Sequence, residues 1–149
     1  MIKKIVGTLV SVNKAKVADL TSLKGTMEKF IAKNIKEYAK VANDMKKADK
    51  VYVKASKANA DANTVSNAYY FNTAKAALDS CVEAYNEIAK NINESMESVK
   101  RVYEDLNAAV AVVDPEKAAN QAEDFNKYNE KISKELKKIN DSLAGYPHY

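Results

Sequence analysis

The amino-acid sequence predicts an all-α fold, an elongated antiparallel bundle of three long heptad-patterned helices preceded by a short N-terminal amphipathic helix. The 149 residues include only three glycines and two prolines, fewer turn residues than a sheet protein of this length needs. Apolar residues recur at alternating spacings of three and four, which is the rhythm of one helix face. The length suits one domain with a hydrophobic core.

The first predicted element is a short amphipathic helix over residues 2–20, with lysines away from its apolar face. A break or turn is expected from Thr21 to Thr26, because this stretch contains Gly25. The predicted organisation is an N-terminal amphipathic segment, 1–20, followed by a single helical-bundle or coiled-coil domain, 21–149. The apolar face of the first segment consists of Ile2, Ile5, Val6, Leu9, Val17 and Leu20.

A long helix is predicted next, up to about Ala60, with an apolar seam at alternating spacings of three and four. A turn is expected at 59–64, because asparagine and aspartate favour turns and caps. The seam residues are Met27, Ile31, Asn34, Tyr38, Val41, Met45, Ala48, Tyr52 and Ala55.

The following helix, from Thr64 to about Val112, has the most regular pattern in the chain and predicts supercoiled packing. Its seam residues are Phe71, Ala74, Leu78, Cys81, Tyr85, Ile88, Ile92, Ser95, Val99, Val102 and Leu106. Asp114-Pro115-Glu116 then predicts the start of a third helix, because aspartate caps free amides and proline suits the first turn. This helix is expected to stop near Gly145.

Charge is distributed unevenly along the sequence. Residues 1–60 contain 14 lysines and five acidic residues, whereas residues 61–149 contain ten basic and fifteen acidic residues. One face of the predicted helix that ends near Ala60 carries a lysine row: Lys29, Lys33, Lys36, Lys40, Lys47, Lys50, Lys54 and Lys57. The predicted helix from Thr64 to about Val112 carries an acidic row at the same rhythm: Glu83, Glu87, Glu94, Glu97 and Glu104. We interpret these as candidate partner-binding faces, basic and acidic, although charge on an outer face is also what any soluble bundle needs.

The sequence contains few residues of the types that usually form catalytic or metal sites. His148 is the only histidine and lies next to the last residue, and Cys81 is the only cysteine, at a seam position. No glycine-rich phosphate loop is present, so the sequence predicts neither an enzyme nor a cofactor or metal site, and no small-molecule substrate. Possible aromatic contacts with a partner are Tyr69, Tyr70, Tyr146 and Tyr149.

The leading functional hypothesis is a non-enzymatic structural protein that forms homo-oligomers through helix packing and complementary charged faces, as a filament, virion-associated or scaffold subunit. An acidic protein partner is also compatible with the lysine row. The alternatives are peripheral binding of an anionic membrane or granule surface, with 2–20 as anchor, and nonspecific nucleic-acid binding. Sequence-specific nucleic-acid recognition is unexpected, because Arg101 is the only arginine. The N-terminal sequence lacks a convincing signal-peptide cleavage site, so the expected location is the cytoplasm or an assembled particle.

Overall fold

The computed structural model describes the backbone of residues 2–146 and the side chains of all of these except 119–122. Over this part of the chain the protein is all-α, as predicted, with three helices and no strand. Helix α1 spans Ile2–Asp61, α2 spans Val65–Val113 and α3 spans Pro115–Asp141.

The turn between α1 and α2 lies where the sequence predicted it. The Thr64 Oγ1 atom accepts a hydrogen bond from the Asn67 backbone N–H at 3.1 Å, which caps the first turn of α2. The side-chain amide of Asn67 donates to the carbonyls of Ala58 and Ala62, at 3.2 and 2.7 Å. Both carbonyls also accept a backbone N–H, from Ala62 and Thr64 respectively, so the Asn67 amide adds a second hydrogen bond to each and ties the turn to the end of α1.

Helix α3 begins as predicted and ends slightly earlier than predicted. Asp114 Oδ1 accepts from the backbone N–H groups of Glu116 and Lys117, at 3.2 and 3.4 Å, and so caps the helix. The helix ends at Asp141, and a turn follows over 142–145. Gly145 does not adopt the left-handed conformation of a glycine cap, so it is not the residue that ends the helix.

The predicted break from Thr21 to Thr26 is wrong, and so is the separate N-terminal helix that it implied. Helix α1 runs through this stretch without interruption. Glycine in a helix interior costs only about 1 kcal/mol relative to alanine. The hydroxyls of Thr21 and Thr26 donate to the carbonyls of Val17 and Ser22, at 2.6 and 3.1 Å, which keeps both threonines within helical geometry.

The chain divides into two compact units whose boundaries cut through the helices. The first unit contains the residues up to Lys33 together with Ile92–Lys134, and the second contains Asn34–Asn91 together with the residues from Glu135. Ile31, Ile92 and Val99 are fully buried in the first unit. Tyr38, Met45 and Leu78 are buried in the second. The predicted division into segments 1–20 and 21–149 is a different one and stays a prediction.

Candidate interaction surfaces

The lysine row predicted from sequence is exposed in full. All eight lysines from Lys29 to Lys57 belong to α1, and each is exposed. At a rise of about 1.5 Å per residue, the row covers roughly 42 Å of this helix. On the same helix, each of the predicted seam residues between Met27 and Ala55 is buried or half-buried. The lysines therefore form a charged surface on the side of α1 that does not pack.

The acidic row on α2 is also exposed in full, from Glu83 to Glu104. Exposed Lys90 and Arg101 interrupt it. Among the described side chains, no member of either row lies within 4.0 Å of an opposite charge; the ion pair found is Lys134–Glu130 on α3, at 3.6 Å. Neither row therefore forms an ion pair with the part of the chain that the structure describes.

The aromatic side chains predicted as partner contacts differ in exposure. Tyr69 is 74% exposed and Tyr70 is 42% exposed, both in the second turn of α2. Tyr146 is half-buried, and Tyr149 lies outside the described residues. Tyr69 and Tyr70 are thus the members of this set that a partner can reach most readily.

Exposed apolar side chains are concentrated in the first half of α1. Ile2, Ile5, Leu9 and Val12 are each about half exposed or more. Several of them line a shallow groove of about 460 Å³, formed by Lys4, Ile5, Thr8, Leu9 and Val12. The sequence had placed Val17 and Leu20 on the same face, yet these two are half-buried. The face predicted as one surface is therefore two, one packed and one free.

A cluster of buried tyrosines joins all three helices in the second unit. The rings of Tyr38 and Tyr85 are stacked, with centroids 4.1 Å apart and planes 16° from parallel. The Tyr38 hydroxyl donates to Asn140 Oδ1 at 2.7 Å, and the Tyr85 hydroxyl donates to the same oxygen. An amide oxygen has two lone pairs, so one asparagine serves both phenols. The sequence predicted Tyr38 and Tyr85 as seam residues, but not their shared contact with Asn140.

A second aromatic cluster surrounds Tyr103 in the first unit. Its hydroxyl donates to Glu28 Oε1 at 2.6 Å, and the Lys24 ammonium lies 4.7 Å from its ring centroid. Phe125 meets the ring edge-on at 5.3 Å, and Tyr128 is stacked at 6.1 Å between centroids. Tyr103 of α2 therefore contacts both α1 and α3, which again fixes three helix segments around one side chain.

Ionisation of Tyr85 and Tyr103 is expected to lower the stability of the fold at alkaline pH. Burial raises the pKa of Tyr85, and the neighbouring Tyr38 phenol adds to this effect. Burial also raises the pKa of Tyr103, assisted by the hydrogen bond to Glu28 and its charge. In the unfolded chain both phenols ionise near pH 10. The free energy of unfolding is therefore insensitive to these groups below pH ~10 and falls above it, by up to about 1.4 kcal/mol per pH unit for each phenol.

The measurement is urea unfolding from about pH 8 to pH 11.5, a range that brackets the ordinary tyrosine pKa. The matched variant carries Tyr85→Phe and Tyr103→Phe, which removes both ionisations and keeps both rings. Its stability is expected to fall less steeply above pH ~10 than that of the native chain. An identical alkaline slope in the two proteins would show that these phenols do not control it.

Two further titratable side chains lie in the second unit. Asp49 is only 5% exposed, and its Oδ1 has no hydrogen-bond partner among the described atoms. Cys81 is a half-buried free thiol whose pKa is raised by burial and, to a lesser extent, by the charge of Asp44. A raised pKa leaves less of the reactive thiolate at neutral pH, which agrees with a packing role for Cys81.

The described residues contain no group of three or more side chains of the kinds that hold a metal ion. None of the described helices has an apolar stretch that is long enough to cross a membrane. No protein-family model, no curated protein and no solved structure matches this chain.

Proposed function

We propose that this chain is a non-enzymatic structural protein that self-associates through its helices, with the lysine row of one copy facing the acidic row of another. Within each unit the helix segments would pack as an antiparallel bundle with heptad character. A filament, a scaffold or a virion-associated particle is an assembly of the kind that such contacts produce.

Contacts in the second unit support the antiparallel packing. Asn67 contacts Ala58, Phe71 contacts Tyr52, and Tyr85 contacts Tyr38. Residue numbers thus rise along α2 as they fall along α1, which is the order of contacts between antiparallel helices. The seam residues predicted for α2, from Phe71 to Leu106, are all buried or half-buried. Both observations agree with an interior built on heptad rhythm.

The observation that carries the functional proposal is the exposure of both charged rows without ion pairs among the described residues. Uncompensated charge of one sign along a helix is unfavourable for the isolated chain, because like charges repel. Contact with a row of opposite charge removes that repulsion and also fixes the register of the contact. A contact in which the lysine row of each copy meets the acidic row of the next is heterologous and generates rings or open filaments.

Sedimentation velocity across a salt series tests this proposal. The mean sedimentation coefficient is expected to fall as NaCl rises from about 0.1 M to about 1 M, because the screening length shrinks from roughly 10 Å to roughly 3 Å. A chain that sediments as a monomer at every salt and protein concentration would overturn the proposal.

Charge reversal makes the test specific to the rows. The first variant changes Lys47, Lys50 and Lys54 to glutamate, and the second changes Glu94, Glu97 and Glu104 to lysine. Each alone is expected to weaken salt-sensitive assembly, because three charges of one row are then repelled by the row that they face. A mixture of the two variants is expected to assemble, since the acidic variant then meets a basic one.

A control variant reverses the same number of charges away from the rows. Lys127, Lys131 and Lys137 are exposed lysines of α3, and their change to glutamate alters the net charge as the first variant does. This control is expected to assemble like the native chain. If it fails to the same extent, net charge governs the association and the rows have no special role.

A second candidate function is peripheral binding of an anionic membrane or granule surface. It is favoured by the exposed apolar side chains at Ile2, Ile5 and Leu9, and by the absence of acidic residues from 2–18. A basic amphipathic helix of this kind binds anionic lipid at its surface. Co-sedimentation with vesicles that contain or lack phosphatidylserine tests it, and equal binding to both would exclude the electrostatic version.

A further inference from the structure

We propose that the exposed apolar face of the first half of α1 is a two-fold symmetric interface, on which α1 of a second copy packs in the antiparallel direction. This inference rests on the proposed self-association but uses a surface separate from the lysine and acidic rows. The free row, as we call this surface, consists of Ile2, Ile5, Leu9, Val12, Lys16, Asp19, Leu23, Thr26 and Phe30.

The free row combines a heptad rhythm with complete exposure. Its positions are spaced alternately by three and four residues over roughly 42 Å of helix. All nine side chains are exposed, and the six large apolar ones are between 46% and 78% exposed. Between residues 2 and 30, the other large apolar side chain that is exposed is Val6.

A neighbouring row shows that the free row is not simply the core face of α1. Val10, Asn13, Val17 and Leu20 follow the same rhythm one residue further along and are buried or half-buried. The helix therefore has two adjacent apolar rows over this stretch, and packing within the first unit covers only one of them. Exposed apolar surface of this length marks an interaction site.

From Ile5 to Phe30, the spacing of the free row reads the same in both directions about a point between Val17 and Ala18, and Ile2 lies outside this symmetric part. An antiparallel copy centred on this point places Val12 opposite Leu23 of the second copy. It also places Ile5 opposite Phe30 of the second copy. Each pair occurs twice, as a two-fold interface requires. Leu9 falls opposite Thr26 of the second copy, so apolar side chains face one another in two of the three pairs on each side of the centre.

The charges at the centre of the free row select the antiparallel arrangement. Lys16 falls opposite Asp19 of the second copy, and Asp19 opposite Lys16 of the second copy, which gives two ion pairs at the symmetry axis. A parallel pair would place lysine on lysine and aspartate on aspartate, and like charges in contact disfavour a partner.

A groove beside the centre adds a further carboxylate. Asp105 of α2 lines a groove of about 460 Å³ together with Lys16 and Asp19. In this arrangement Lys16 of the second copy therefore lies close to two acidic side chains, Asp19 and Asp105. A membrane surface is a poorer occupant of the free row, because the helix would have to hold Lys16 and Asp19 against the lipid.

Directed disulfide formation tests the register. Cys81 is first replaced by serine, and Val12→Cys and Leu23→Cys are then introduced into separate chains, one of which carries a mass tag. The mixture is expected to form the disulfide between the two chains in several-fold higher yield than Val12→Cys alone. Two copies of residue 12 would lie roughly 16 Å apart along the antiparallel helices, which is too far for a disulfide.

Disruption of the free row gives a second readout that does not depend on cysteine chemistry. Leu23→Glu is expected to abolish the dimer that remains at high salt, whereas Val53→Glu, at an exposed position of the second unit, is expected to leave it intact. Lys16→Asp and Asp19→Lys are each expected to weaken the dimer. The double variant K16D/D19K exchanges the two charges and is expected to restore it. Circular dichroism verifies that each variant remains helical.

The outcomes separate this inference from the charged-row proposal. A salt-resistant dimer that Leu23→Glu dissociates, with the 12–23 disulfide, supports the inference even if the charge reversals have no effect. A salt-sensitive oligomer that Leu23→Glu leaves unchanged overturns the inference and leaves the charged-row proposal standing. A monomer under all conditions overturns both. Preferential 12–12 disulfide, or a monomer that binds anionic vesicles through Leu9 and Leu23, also overturns it.

Discussion

Replacing Ile92 by alanine is expected to lower the free energy of unfolding by about 2–5 kcal/mol. Ile92 has no solvent-exposed surface and lies near the middle of α2. Removing its outer carbon atoms forfeits the transfer free energy of those atoms and leaves a cavity in a rigid helical interior. Since a domain of ordinary stability has only about 5–15 kcal/mol in total, this single change removes a large fraction of it.

Urea unfolding monitored by circular dichroism measures the effect of Ile92→Ala. The control is Val65→Ala at the first residue of α2, where the side chain is 91% exposed and the expected change is within about 0.5 kcal/mol. Because alanine has a higher helix propensity than isoleucine or valine, a helix-propensity effect would stabilise both variants. Equal destabilisation of the two variants would contradict the burial of Ile92.

The hydrophobic rhythm predicted most of the secondary structure, because the core-facing stripe of a long helix is visible in the sequence itself. The start of α3 at Pro115 followed from capping chemistry that acts within four residues. The break predicted at Gly25 was wrong because one glycine is only a weak signal for the end of a helix. A single glycine costs about 1 kcal/mol, and packing of the half-buried side chains of Val17, Leu20 and Met27 outweighs it.

The division of the N-terminal face could not be predicted from one sequence. Leu9 and Val17 both fit an apolar face, yet Leu9 is exposed and Val17 is half-buried. Which of two adjacent rows packs depends on the direction from which α2 approaches, and that direction is a tertiary property. The charged rows were easier to locate, since long runs of one sign must remain in solvent.

The polar contacts that join the three helices were beyond sequence analysis for a different reason. Tyr38, Tyr85 and Asn140 meet across separations of 55 and 102 residues. Each tyrosine fits an ordinary seam position, and Asn140 resembles any surface asparagine. Only the register between the helices brings both hydroxyls to one amide oxygen, and a one-residue shift in that register would separate them.

Asn140→Ala is therefore expected to cost about 2–4 kcal/mol, although Asn140 is itself an exposed residue. The substitution leaves the hydroxyls of Tyr38 and Tyr85 without their acceptor, and both tyrosines are buried. A buried hydroxyl without a partner costs about 1–3 kcal/mol in desolvation. The measurement is urea unfolding at one protein concentration, with Asn126→Ala as the matched control at an exposed position of α3 that is expected to change little.

A double-mutant cycle isolates the shared hydrogen bonds from other effects of losing Asn140. In a chain with Tyr38→Phe and Tyr85→Phe the rings can still stack, but neither hydroxyl remains to be satisfied. Asn140→Ala should then cost less than about 1 kcal/mol, which gives a coupling energy of roughly 1–3 kcal/mol between the amide and the two phenols. If Asn140→Ala costs the same in both backgrounds, the asparagine acts through its effect on α3 alone. The tyrosine pair would then find its hydrogen bonds elsewhere, and the register of the three helices would depend on apolar packing.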